Sequence, residues 1–120
     1  MIQQKKLSLW SLILIGLGLY RRVRVSGHSM SPLLNDGDEV LVNMKAYVES
    51  APQMGDLVLS RHPLKRDLHI IKKVERMEPD GSLHLHGINH LESTDSRSFG
   101  AVGVRSILGR VVSIVVTKTS

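Results

Sequence analysis

The sequence contains no cysteine in 120 residues, which excludes disulfides, thiolate metal sites and a cysteine nucleophile. Aromatic side chains are nearly missing as well: one Trp, two Tyr and one Phe. Base stacking needs such rings, so the formal charge of +5 is not read as a nucleic-acid surface. There is no internal repeat, low-complexity tract or long linker, and the length suits one hydrophobic core. Long apolar runs are limited to Leu7–Tyr20, which as a helix of about 1.5 Å per residue reaches about 21 Å, short of the roughly 30 Å hydrocarbon core.

That stretch is nonetheless bracketed by Lys5, Lys6, Arg21, Arg22 and Arg24. With Trp10 and Tyr20 near its ends, it suits membrane contact through residues 7–20, as a thinned span or an interfacial anchor. A buried helix packed on the domain is the alternative. A cleaved signal peptide fits less well, because no small-x-small site precedes Arg21. Residues 1–22 are read as an apolar N-terminal segment with basic flanks, and membrane association is favoured over a cytoplasmic location.

From Val23 the pattern changes to short apolar runs cut by turn residues. Strands are expected at Val23–Ser26, Glu39–Asn43, Leu57–Arg61, His69–Met77, Ser82–Gly87 and Leu108–Val116. Pro79-Asp80-Gly81 predicts a hairpin between two of them. The fold class is mainly β, a single compact antiparallel sheet or partial barrel over residues 23–120, with a short N-terminal apolar helix.

Within this pattern, Val25–Asp38 reads Val-Ser-Gly-His-Ser-Met-Ser-Pro-Leu-Leu-Asn-Asp-Gly-Asp. Gly27 permits a bend, Pro32 ends any regular element, and Ser29 is presented between them. A serine hydroxyl is a weak nucleophile and needs a base. Without cysteine the base is His, Asp, Glu or Lys, and six His keep a Ser-His-Asp arrangement open. In Leu68–Arg76, strand alternation puts Ile70, Lys72 and Val74 on one face and Ile71, Lys73 and Glu75 on the other. One lysine thus shares a face with apolar residues, where lost hydration favours the neutral amine that can accept a proton.

Gly27-His28-Ser29-Met30-Ser31-Pro32-Leu33-Leu34 followed by Gly37-Asp38 resembles the nucleophile box of the signal peptidase I family, Gly-x-Ser-Met-x-Pro-Thr-Leu and then Gly-Asp. Ile70-Ile71-Lys72-Lys73-Val74, about forty residues later, is similar to its base box, and Met54-Gly55-Asp56-Leu57-Val58-Leu59 to the Gly-Asp-x-Val strand before it. Gly87–Gly100 is similar to its Gly-Asp-Asn, Ser-x-Asp-Ser-Arg and Gly. The resemblance implies a fold of the signal peptidase and LexA-like type, with Ser29 as nucleophile, Lys72 as general base and Met30 and Pro32 in the substrate cleft. It further implies that Ser93 orients the lysine and that Asp95 and Arg97 pair to hold their loop. Three positions depart from the pattern: Leu33 stands for Thr, Ile88 for Asp, and Gly27 for a Ser that in some members assists the oxyanion hole. The oxyanion is then expected to rest on backbone N–H groups, including that of Ser29.

Only about twenty residues separate Lys72 from Ser93. That short interval, with Arg61-His62-Pro63, looks like the small proteases that remove the N-terminal extension of a nickel-type superoxide dismutase precursor. The partner expected is a protein precursor. A minimal secretory signal peptidase is the alternative, followed by a self-cleaving LexA- or UmuD-like regulator, against which no helix-turn-helix fits before Val23 and no Ala-Gly or Cys-Gly bond precedes it. A non-catalytic basic binding module is the third class. His84 and His86 lie two apart on one strand, with His69 and His90 as further imidazoles, which raises a zinc or nickel site. Catalysis is expected to need no metal and no cofactor.

Overall fold

The computed structural model describes residues 3–5, 8–27, 29–65, 67–89 and 99–115. Its elements, in chain order, are β1 (Gln3–Lys5), α1 (Leu9–Gly16), β2 (Tyr20–Arg24), β3 (Glu39–Asn43), β4 (Leu57–Arg61), β5 (His69–Met77), β6 (Leu83–His86), a short 3₁₀ turn (Val104–Ser106) and β7 (Ile107–Val115). Three of the expected strands, β3, β4 and β5, have the bounds read from the sequence. β2 begins earlier than expected, at Tyr20, because Tyr20 to Arg24 pair residue by residue with Asn43 to Glu39.

Six strands form one open antiparallel sheet in the order β2-β3-β7-β4-β5-β6, and β1 adds in parallel to β7. Among the described residues the sheet is not closed into a barrel, and β2 and β6 end its path. β7 is the hub. Its length lets Arg110, Val111 and Ser113–Val115 pair with β3 while Ile107, Gly109 and Arg110 pair with β4. Gly109 is required at that crossing: a Cβ there would sit 2.6 Å from the Asn43 carbonyl oxygen and 2.7 Å from a Val42 methyl.

The period of two along β4 sorts its residues between two cores. Leu57 and Leu59 join Val25, Met30, Leu34, Val40, Val42, Ile71 and Val111. Val58 joins Val74, Leu83, Leu85 and Val102. Pro79-Asp80-Gly81 makes the expected hairpin. Gly81 takes φ +88°, Gly81 N–H donates to the Glu78 carbonyl at 2.9 Å, and Asp80 Oδ1 accepts from the Ser82 hydroxyl and N–H.

The N-terminal apolar stretch is shorter as a helix than the sequence predicts. Ser8 caps α1 by accepting from Ser11 N–H at 3.0 Å. Gly18 at φ +76° ends it, with the Gly18 and Leu19 N–H groups turned back onto Ile15 and Leu14. No residue of α1 is buried, and Leu9, Trp10, Leu12 and Ile13 are exposed. A helix packed into the domain is therefore corrected. Among the described residues, no helix is long and apolar enough to cross a membrane.

Candidate active site

The turn after β2 presents Ser29. Val25 N–H donates to the Asp38 carbonyl at 2.7 Å, and Gly37 N–H donates back to the Val25 carbonyl at 2.9 Å, so residues 25 and 37–38 are fastened together. The chain then bends at Gly27, whose φ of +84° a β-carbon would oppose. Gly27 N–H donates to Asp36 Oδ1 at 2.8 Å. Met30 and Leu34, 1% and 0% exposed, anchor the next turn through a Leu34 N–H to Met30 C=O bond of 2.9 Å. Between these anchors Ser29 is half-buried, and Asn89 N–H donates to its carbonyl at 2.8 Å.

Lys72 comes from β5, where it stands opposite Val58 in the β4 register. It is 4% exposed, whereas Lys73 is half-buried. The expected alternation holds from Ile70 to Val74 and then breaks: the register shifts between Val74 and Arg76, leaving Glu75 exposed.

Ser29 and Lys72 line one cleft of about 230 Å³. One bank is Val23–Ser26, the other Leu68–Lys72, with Met30 and Leu59 also in the lining. Among the described residues β6 pairs with Lys73–Met77 and β4 with His69–Lys73, so along the cleft β5 has a described strand partner on the β4 side alone. Arg24, at the rim, lies 3.6 Å from Glu39, which also binds Arg22. The hydrogen bond from Arg22 holds the Glu39 carboxyl below its usual range. Pro32 is exposed and is not among the described residues of the lining. Ser93, Asp95, Arg97 and His90 lie outside the described residues.

The Gly27 N–H is already engaged by Asp36, which removes it from the donors available to an oxyanion. Neither that contact nor the Asn89 N–H to Ser29 carbonyl bond was visible in the sequence. Asp36 sits one residue before the Gly37-Asp38 of the motif, a place where any polar turn residue would fit. His84 Nε2 donates to Glu78 Oε1 at 2.6 Å, and His86 Nδ1 lies 3.9 Å from Glu75 Oε2. Among the described residues no group of three or more His, Asp or Glu could hold a metal.

A sheet domain that sets a half-buried serine and a buried lysine around one cleft is of the kind that serine hydrolases use. The chain belongs to the signal peptidase family: the family described as "Signal peptidase, peptidase S26" matches residues 6–77. It is 34% identical to mitochondrial inner membrane protease subunit 2 of Danio rerio, over 77% of this chain and 62% of that protein. It is 30% identical to subunit 1 of Xenopus tropicalis, over 72% and 63%, and 29% identical to subunit 1 of Schizosaccharomyces pombe, over 81% and 74%. The chain thus spans less than two thirds of the first two relatives.

Proposed function

We propose that the chain is a serine endopeptidase in which Ser29 is the nucleophile and Lys72 the general base. The observation that carries this reading is that Ser29 and the buried Lys72 line the same cleft in a member of the signal peptidase family. Burial strips water from an ammonium group and so favours the neutral amine that a base requires. Ser29 Oγ attacks the scissile carbonyl while Lys72 Nζ takes the hydroxyl proton, and the Ser29 backbone N–H stabilises the resulting oxyanion. Collapse breaks the C–N bond, and Nζ returns its proton to the leaving amine. Water, giving a proton to Nζ, then attacks the acyl-enzyme ester; its collapse frees the carboxyl product and returns the proton to Ser29 Oγ. In this reading Ser93 orients Nζ, the Asp95–Arg97 pair holds that segment, and no metal takes part.

The substrate is a protein precursor bound extended along the cleft beside Leu68–Lys72, a mode in which main-chain hydrogen bonds supply affinity and side-chain pockets supply choice. The shallow apolar lining of Val25, Met30, Leu59 and Ile71 favours small residues before the cut. The precursor we favour is a nickel-type superoxide dismutase carrying an N-terminal extension. The short interval from Lys72 to Ser93 and Arg61-His62-Pro63 support this choice. A second reading, removal of targeting segments from other precursors, is favoured by the relatives' being membrane protease subunits. The exposed apolar α1 with basic residues on either side supports association with a membrane.

Mass spectrometry of a nickel superoxide dismutase precursor and of a signal-peptide substrate, each incubated with wild type, Ser29→Ala and Lys72→Ala, tests both levels. Wild type alone is expected to trim the dismutase precursor at one bond. Trimming of the signal peptide instead moves the substrate to the second reading, and full activity in Lys72→Arg moves the base to another residue. Loss of activity on chelation, restored by zinc or nickel, would sink the metal-free mechanism.

A further inference from the structure

His62 is 8% exposed and lies at the start of the turn that joins β4 to β5. Its N–H donates to the Leu68 carbonyl at 2.8 Å, which closes the turn, and Leu68 N–H donates to the Lys65 carbonyl at 2.8 Å. Inside the turn, His62 Nδ1 accepts from the Leu64 and Lys65 N–H groups, each at 3.1 Å. Two donors aimed at one ring nitrogen require it to be unprotonated, so the neutral ring carries its proton on Nε2. The ring is held from outside by Phe99, edge-on, with centroids 5.1 Å apart and planes at 63°. Leu68 and His69, where this turn ends, are the first residues of the cleft bank that continues to Lys72.

We propose that His62 is a positioning residue for substrate binding: its Nδ1 replaces missing backbone partners in the turn and so sets where the β5 bank of the cleft begins. The inference rests on the peptidase reading above. An imidazole that merely filled space would place no acceptor between two backbone donors. Here the acceptor organises the turn, the turn delivers Leu68 and His69 to the cleft, and Phe99 keeps the ring in place. The role falls on binding because the chain that His62 shapes forms a wall of the cleft, while Ser29 is held by other contacts.

Asn places its side-chain oxygen near the position of Nδ1, and Gln places its polar atoms near Nε2. Cleavage kinetics of a precursor peptide are measured for wild type, His62→Gln and His62→Asn, with peptide affinity measured separately in a Ser29→Ala background. His62→Gln is expected to raise KM roughly five- to tenfold and weaken affinity equally, with kcat within about twofold; His62→Asn recovers most of that loss. Equal KM in the Gln and Asn variants, or a loss in kcat with KM unchanged, overturns the proposal. If His62→Gln does not fold, Phe99→Leu removes the ring's support while leaving Nδ1; a raised KM sustains the proposal and an unchanged one overturns it. If wild type cleaves nothing, the peptidase reading falls and takes this role with it; if wild type cleaves and the variants match it, only the role of His62 falls.

Discussion

The two halves of β5 show how one strand serves two purposes. His69–Lys73 pairs with β4, and along that half the other side faces the cleft; Lys73–Met77 pairs with β6 and carries the hairpin. In the first half Ile71 packs with Val25, Met30 and Leu59, and Lys72 is buried. In the second half Val74 packs with Leu83 and Leu85, while Glu75 and Arg76 stay exposed and Arg76 and His84 meet Glu78. Charge that remains in water and pairs locally adds little to stability. A lysine taken into the sheet loses the hydration that favours its charged form, and here that lysine shares a cleft with a serine.

The largest effect expected from this contrast is on activity. Lys72→Met should lower kcat by about a hundred- to ten-thousandfold, whereas Lys73→Met should stay within about threefold. Peptide cleavage measured on folded protein checks both, and equal losses would erase the distinction between the two lysines. Leu85→Ala, at a 0%-exposed position of the hairpin half, should cost about 2–5 kcal/mol in denaturant unfolding while leaving kcat per folded molecule unchanged. A fall in kcat would couple the two halves more tightly than their separate cores suggest.

A smaller effect is expected at the clamp on the second half. Tyr47 donates to Asp56 Oδ2 at 2.7 Å, and the Asp56 carbonyl accepts from Val74 N–H at 2.8 Å. Tyr47→Phe should cost about 1 kcal/mol near neutral pH. Burial first, then the Asp56 hydrogen bond and charge, push the Tyr47 hydroxyl well above its ordinary range. The folded protein therefore keeps a proton that the unfolded chain releases above about pH 10, so wild-type stability should fall as pH rises through that region. Tyr47→Phe should lose this part of the alkaline slope. Denaturant unfolding at two alkaline pH values reads it, and an unchanged slope would show that other groups set the alkaline limit. The smallest effect belongs to the surface pair: His84→Ala should change stability by less than about 1 kcal/mol and leave activity as it is.

Much of the fold was legible because alternation and turn chemistry are local. The runs Glu39–Asn43, Leu57–Arg61 and His69–Met77 are strands with the bounds their sequence suggests, and Pro79-Asp80-Gly81 turns the chain as Pro, Asp and Gly should. Leu7–Tyr20 misled because apolar composition does not reveal where a helix stops. Gly18 stops it, and Tyr20 is drawn into β2 by pairing with Asn43, a partner distant in sequence. The candidate site was legible in part. Ser29 and Lys72 stood out in their motifs, while the contacts through which Asp36, Asn89 and His62 hold backbone groups were not legible, although Asn89 and His62 stand in matched segments.

By itself, the sequence determined a mainly β chain without thiol chemistry, a serine on a glycine bend and two adjacent lysines of which alternation could bury one. Those are properties of composition and short-range geometry. Only the tertiary structure decided that β7 would join β3 to β4, that Asp36 would occupy the Gly27 N–H, and that Ser29 and Lys72 would line one cleft. These outcomes depend on strand order and register, which arise from contacts between residues far apart in the chain, and no local preference specifies them.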